Sequence, residues 1–286
     1  MSAFVSYVLH GLAVGSGFAL LAGGIIIIYR VTRVVNLAQG TFAVLAAFMT
    51  TTLLGSGLPH GIAELVATLV GALAGALTGL VAVGKRGTTP QASLIATLGL
   101  AILGYALEIL VWGDEPRSFS GLDGSLELAG VEFPKQYVLV VGVTLGVFAL
   151  LELFFERTYA GKAMSACASN PYAATLVGIS VVRMALFAFV LAGALGGVAG
   201  VLLTPLSPLS YDSDLSLFVN GFAAAILAGL KRPVLALGGG LLLGVAQALV
   251  AGYSKASYQS MLALLLTLAI LVAQGARRPA LHAFED

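Results

Sequence analysis

The chain has 286 residues, of which 59% are hydrophobic and only 9% charged, with a net charge of +1. Soluble domains carry roughly 25% charged residues, so a water-soluble fold is excluded, and the balanced charge gives no basic surface for nucleic acid. The single cysteine, Cys167, excludes an internal disulfide, and His10, His60 and His282 lie too far apart for a metal-ligand spacing.

The apolar runs are long and continuous, which predicts membrane helices rather than the short alternating strands of a barrel. A crossing helix needs about 20 apolar residues. In chain order the runs are 4–29, 34–54, 62–84, 91–112, 136–155, 183–204, 217–230, 234–250 and 259–274. The first is too long, and too clearly followed by others, for a cleaved signal peptide. The fold class expected is all-α: one polytopic membrane domain over 1–286 with 8 or 9 transmembrane helices. Residues 217–230 are short, and 231-KRP-233 interrupts an apolar run, so 217–250 is open to two readings, a re-entrant hairpin or two short crossings.

Between the first two runs lies 36-NLAQG-40, with Arg30 and Arg33 close by. One reading is a tight turn in which Asn36 caps the next helix. The other is a helix break at membrane depth, where irregular backbone is tolerated only inside protein or along a cavity. On that reading Asn36, Gln39 and Gly40 offer amides to a polar solute on a substrate path.

Gly71, Gly75 and Gly79 recur every four residues, as do Gly240 and Gly244. Such rows mark close helix packing. Glu64, Glu108 and Glu152 fall near helix ends, where snorkelling or solvation accounts for them. Gln247 sits deeper and could face the path. No paired carboxylates and no acidic cluster at mid-membrane stand out in the sequence.

Lys and Arg set orientation. Lys85 and Arg86, then Arg157, Lys162 and Arg183, then Arg277 and Arg278 fall on one side, taken as cytoplasmic. The acidic loops 113–135 and 205–216 fall outside, and the C-terminus is cytoplasmic.

The loop 157–182 is patterned. Residues 159–169 suit a helix, Asn170-Pro171 stops it and starts a second, and Gly178 ends that one. A helix pair of this shape can dock in a partner's groove or lie on the lipid surface.

The stretch 161-GKAMSACASNPYAATLVGISVVR-183 resembles the coupling loop of the LivH-type permeases of branched-chain amino acid ABC transporters. Gly161, Lys162, Ala163, Asn170, Pro171 and Gly178 are the residues carried over as its ATPase-coupling element. Ser165 stands where that family usually has Arg. The 36–40 motif resembles the family's N-F-A-H-G, with Gln39 in place of His, and 219–249 resembles its third, glycine-rich block.

The resemblance implies a permease subunit forming the translocation path for branched-chain or related amino acids in a bacterial inner membrane. It implies a second, related permease, two cytoplasmic ATPases that use ATP and Mg, and an extracytoplasmic solute-binding protein. This chain has no P-loop pattern, so it is expected to bind no cofactor or metal and to be no enzyme. The alternatives are a gradient-driven secondary transporter and a passive channel for a small neutral solute such as urea or an amide.

Overall fold

A computed structural model of the chain describes residues 2–84, 89–128, 130–254 and 258–276. Lys85, Arg86, Arg277, Arg278 and His282, used above for orientation or metal spacing, lie outside the described residues.

The elements are α1 (Ser2–Thr32), α2 (Gln39–Gly55), α3 (Ile62–Val83), α4 (Pro90–Trp112), β1 (Ser125–Leu128), β2 (Val131–Pro134), α5 (Lys135–Arg157), α6 (Tyr159–Ser169), α7 (Pro171–Leu176), α8 (Val181–Leu203), α9 (Ser213–Leu227), α10 (Leu235–Tyr253) and α11 (Tyr258–Ala276). Nine of the helices coincide with the nine apolar runs. Among the described residues, six of them are long and apolar enough to cross a membrane. β1 and β2 pair antiparallel, Ser125 opposite Pro134 and Leu128 opposite Val131, a hairpin the hydropathy pattern does not reveal. Arg117 and Leu209 exchange backbone hydrogen bonds of 2.8 and 3.0 Å, which join the loop 113–135 to the loop 205–216.

The core lies around α1 and α8. Ile25, Ile26 and Ile28 are all fully buried, as expected of a helix that is apolar on every side. Glycines let its neighbours come close. A Cβ on Gly71 would sit 2.9 Å from the Gly193 carbonyl oxygen, and one on Gly75 would sit 2.9 Å from Gly193 Cα, so these two glycines of α3 lie directly on the backbone of α8. Gly240 and Gly244 of α10 meet Ala19, Gly15 and Gly11 of α1 in the same way.

The 217–250 region is a helical hairpin packed along α1 and closed by a turn in which Gly229 and Leu230 have φ of +72° and +56°. α9 has 15 residues. That corresponds to about 22 Å, less than the ~30 Å of a hydrocarbon core, so α9 crosses only part of the way.

α2 also begins part-way. The Gln39 side-chain amide donates to the carbonyl of Ala192 at 2.9 Å, and Ala192 is the midpoint of α8. Gly24 packs against the same amide. Gly24 lies two turns before the end of α1, about 12 Å along the axis. Residues 33–38 therefore fold back from the end of α1 into the bundle before α2 starts.

Candidate functional site

The irregular segment is held by its own polar groups. Arg33 has φ +59°, which turns the chain at the end of α1. Its guanidinium donates to the Ala168 carbonyl at 3.0 Å, in the last turn of α6. Asn36 Oδ1 accepts from the Ala38 N–H at 3.1 Å, a local turn of the kind Asn favours. The Leu37 N–H donates to Thr97 Oγ1 of α4 at 3.4 Å.

Asn36 and Gln39 are fully buried, and a Cβ on Gly40 would run into the Asp214 carbonyl. These three residues stand behind a cavity rather than on its surface. Their neighbours Leu37 and Thr41 line it, together with Leu98, Ala101, Ile102 and Tyr105 of α4, Asp212, and Asp214, Leu215 and Phe218 of α9. The cavity has a volume of about 500 Å³, the size of a small-molecule site. Gln247 is elsewhere: buried between helices, it donates to Asn220 Oδ1 at 2.7 Å and ties α10 to α9.

Beside the cavity the structure brings together two carboxyl groups that the sequence keeps 106 positions apart, Glu108 and Asp214 (214 − 108). Thr41 Oγ1 donates to Asp214 Oδ2 at 2.7 Å, and the Glu108 carboxyl is a neighbour of Asp214. Glu108 is 1% exposed and Asp214 8%. Both Glu108 oxygens and Asp214 Oδ1 are without a hydrogen-bond donor.

This corrects two expectations. Glu108 does not snorkel, because its face of α4 is turned inward, and a carboxylate pair does exist. A sequence signal was available. The only buried side chains of α4 are Ser93, Thr97 and Glu108, and Gly104 meets the Thr41 side chain on the same face. Spacings of four, seven and four put these residues on one helical stripe, so α4 turns its polar side inward and its leucines outward. Asp214 carries no comparable signal.

Glu64 closes a local cap instead. Its Oε1 lies 2.7 Å from His60 Nδ1, and its Oε2 accepts from the Gly61 N–H. Glu152 is half-buried on α5.

At the opposite end of the bundle from β1 and β2, α6 and α7 form a corner. Thr158 Oγ1 accepts from the Gly161 N–H at 3.0 Å, and Asn170 Oδ1 accepts from Ala173 N–H at 3.0 Å with Pro171 at the first helical position. Gly178, φ +84°, terminates α7. Gly161 lies against the Phe154 carbonyl, which seats α6 on the end of α5. Met164, Cys167, Ala168 and Ala174 face inward, while Lys162, Tyr172, Leu176 and Val177 are exposed. Burial pushes the Cys167 thiol up from its ordinary value, so Cys167 packs rather than reacts.

The family described as branched-chain amino acid transport system / permease component matches residues 7–271. The chain is 31% identical to the probable branched-chain amino acid transport permease protein LivH of Methanocaldococcus jannaschii, over 84% of this chain and 78% of that protein. It is 26% identical to the high-affinity LivH permease of Salmonella typhimurium and 27% identical to BraD of Pseudomonas aeruginosa, each over 94% of this chain and 93% of the relative. Among solved structures it resembles PsaBC from Streptococcus pneumoniae in complex with Fab, with a TM-score of 0.52 and 14% identity, over 92% of this chain and 90% of that one, a likeness of fold. With its helices in this order and the match running across nearly all of them, the chain belongs to the branched-chain amino acid transport permease family.

Proposed function

We propose that this chain is the membrane permease of an ABC importer for branched-chain or related amino acids, working with separate ATPase subunits. Besides the family and its named relatives, one observation supports the coupling: the capped pair α6–α7 is tethered to the broken segment 33–38 by Arg33 donating to Ala168. Leu37 and Thr41, on and just after that segment, are cavity wall. A rigid displacement of α6–α7 by a closing ATPase pair reaches the cavity by this short route. The ATPases use ATP and Mg, and this chain supplies the path. Exposed Tyr172, Leu176 and Val177 on α7 give an ATPase a contact surface.

On this reading the α6–α7 end and the C-terminus are cytoplasmic, in a bacterial inner membrane. The linked loops 113–135 and 205–216 receive a solute-binding protein, and the outward leucines of α4 face a second permease or lipid. A gradient-driven carrier is the second reading, favoured by one observation, the buried Glu108–Asp214 pair.

The test is a mild-detergent purification from native membranes with mass spectrometry, followed by uptake in vesicles. A co-purifying ATPase and permease, with uptake that stops when ATP is withdrawn, are expected. A chain that runs alone, with uptake abolished by a protonophore but not by ATP depletion, overturns the importer reading in favour of the second.

A further inference from the structure

We infer that Glu108 and Asp214 hold a single proton between them, and that this proton clamps α4 to α9 at a junction of three helices. The inference goes beyond the importer reading and stands or falls without it.

The other inward polar contacts of α4 go elsewhere. Ser93 donates to the Ala82 carbonyl of α3 at 2.7 Å, Thr97 Oγ1 accepts from the Leu37 N–H, and Trp112 Nε1 donates to Thr52 Oγ1 of α2 at 2.7 Å. Among the described residues, the polar link from α4 to α9 is Glu108 beside Asp214, and one turn earlier on each side the Tyr105 and Tyr211 rings lie 5.1 Å apart. α2 supplies the third side. Thr41 donates to Asp214 Oδ2, its methyl lies against Gly104, and Gly40 lies against the Asp214 carbonyl.

Both acids are more than nine-tenths buried, and neither forms an ion pair among the described residues. Arg117, just beyond α4, is engaged with the Trp112 carbonyl at 2.9 Å. Two ionised carboxylates here would repel each other with no hydration to offset the charge. One proton between them removes a charge and turns the repulsion into a hydrogen bond from acid to carboxylate, a strong, charge-assisted kind. A proton on Glu108 is the donor that Asp214 Oδ1 otherwise lacks.

The clamp opens by loss of that proton to water as pH rises. Both acids are then charged and push α4 from α9. α4 gives up little contact in moving, because Ser93, Thr97 and Glu108 are its only fully buried side chains. The other titratable groups near the pair are Asp212 at the start of α9, Tyr105 on α4, and Tyr211 and Asp114 in the adjoining loops, while α2 presents only the Thr41 hydroxyl. Asp212, Tyr105 and Asp114 are exposed, so their charges are solvated.

The experiment uses the purified full-length chain, with any subunits that accompany it, in lipid. Infrared difference spectra at neutral pH, wild type minus Glu108→Gln and wild type minus Asp214→Asn, are each expected to show a protonated-carboxyl C=O band. Spin labels on Ile102→Cys and Leu215→Cys, both exposed, with Cys167→Ala removing the native thiol, report the distance from α4 to α9. As pH is raised, the band is expected to vanish and the labels to part together. In Glu108→Gln an amide N–H replaces the proton as donor to Asp214, so the labels are expected to stay together across the same range. Asp214→Asn, whose amide donates to Glu108 and whose carbonyl still accepts from Thr41, repeats the test if Glu108→Gln does not fold. Absence of the band from both difference spectra overturns the shared proton. Labels that stay together after the band is lost, or that part equally in the amide variant, overturn the clamp.

Discussion

The two interfaces of the α3–α4 pair are built on opposite principles. α3 lays Gly71 and Gly75 on the backbone of α8 with no side chain between them, and Gly79 against the Phe189 side chain. α4 meets the 33–38 segment, α2 and α9 through Thr97, Gly104 and Glu108, and leaves a cavity beside them. Without a hydrophobic force between helices in lipid, close van der Waals contact is what makes the first interface firm. The second is held by a few polar contacts and encloses space. One interface fixes a frame, and the other leaves a wall that can move or be filled.

The comparison breaks most visibly at the glycines. Gly75→Leu forces a side chain into the Phe189 carbonyl and Gly193, an overpacking that costs about 3 kcal/mol or more. The expected result is loss of extractable, monodisperse protein by size-exclusion chromatography. Gly142→Leu on α5, where nothing lies within 4 Å of a Cβ, is expected to express normally. Equal yields would show that α3 and α8 do not depend on close approach.

Next in size is the coupling corner. Asn170→Gly with Pro171→Gly removes the cap and the preset first turn of α7, about 1 kcal/mol of local stability. Insertion is expected to survive while ATP hydrolysis runs on and uptake falls about tenfold. Coupled, wild-type transport in this variant would remove α6–α7 from the mechanism.

Arg33→Gly keeps the left-handed backbone and deletes the tether to Ala168. Uptake is expected to drop several-fold with the melting temperature unchanged. A drop in stability with unchanged uptake per folded molecule would make Arg33 structural only.

Gln39→Ala loses one buried hydrogen bond to α8, about 1 kcal/mol. A modest change in transport rate or substrate preference is expected in Gln39→Ala or Gln39→His, read by competition uptake. If neither variant changes either quantity, the break serves only to start α2. The smallest effect expected is at Cys167, where burial slows maleimide labelling in intact vesicles, and rapid labelling would show that α6 lifts off its seat.

Much of this was legible in one dimension. Continuous apolar runs give the membrane helices, because each crossing must satisfy its own backbone. Asn170-Pro171 and Gly178 give the corner between α6 and α7, because caps and left-handed glycines act within a few residues. The Gly71–Gly75–Gly79 row announces a close contact without naming Gly193 as its partner.

What the sequence by itself determined is therefore local: helices, their ends, and the faces on which small residues recur. Only the tertiary structure decided that the 33–38 segment folds back to mid-bundle, that Asn36 and Gln39 stand behind the cavity while Leu37 and Thr41 face it, and that Glu108 meets Asp214. The physical reason is range. Capping and backbone hydrogen bonding act over a few positions, whereas a buried charge is decided by whichever distant helix packs against it.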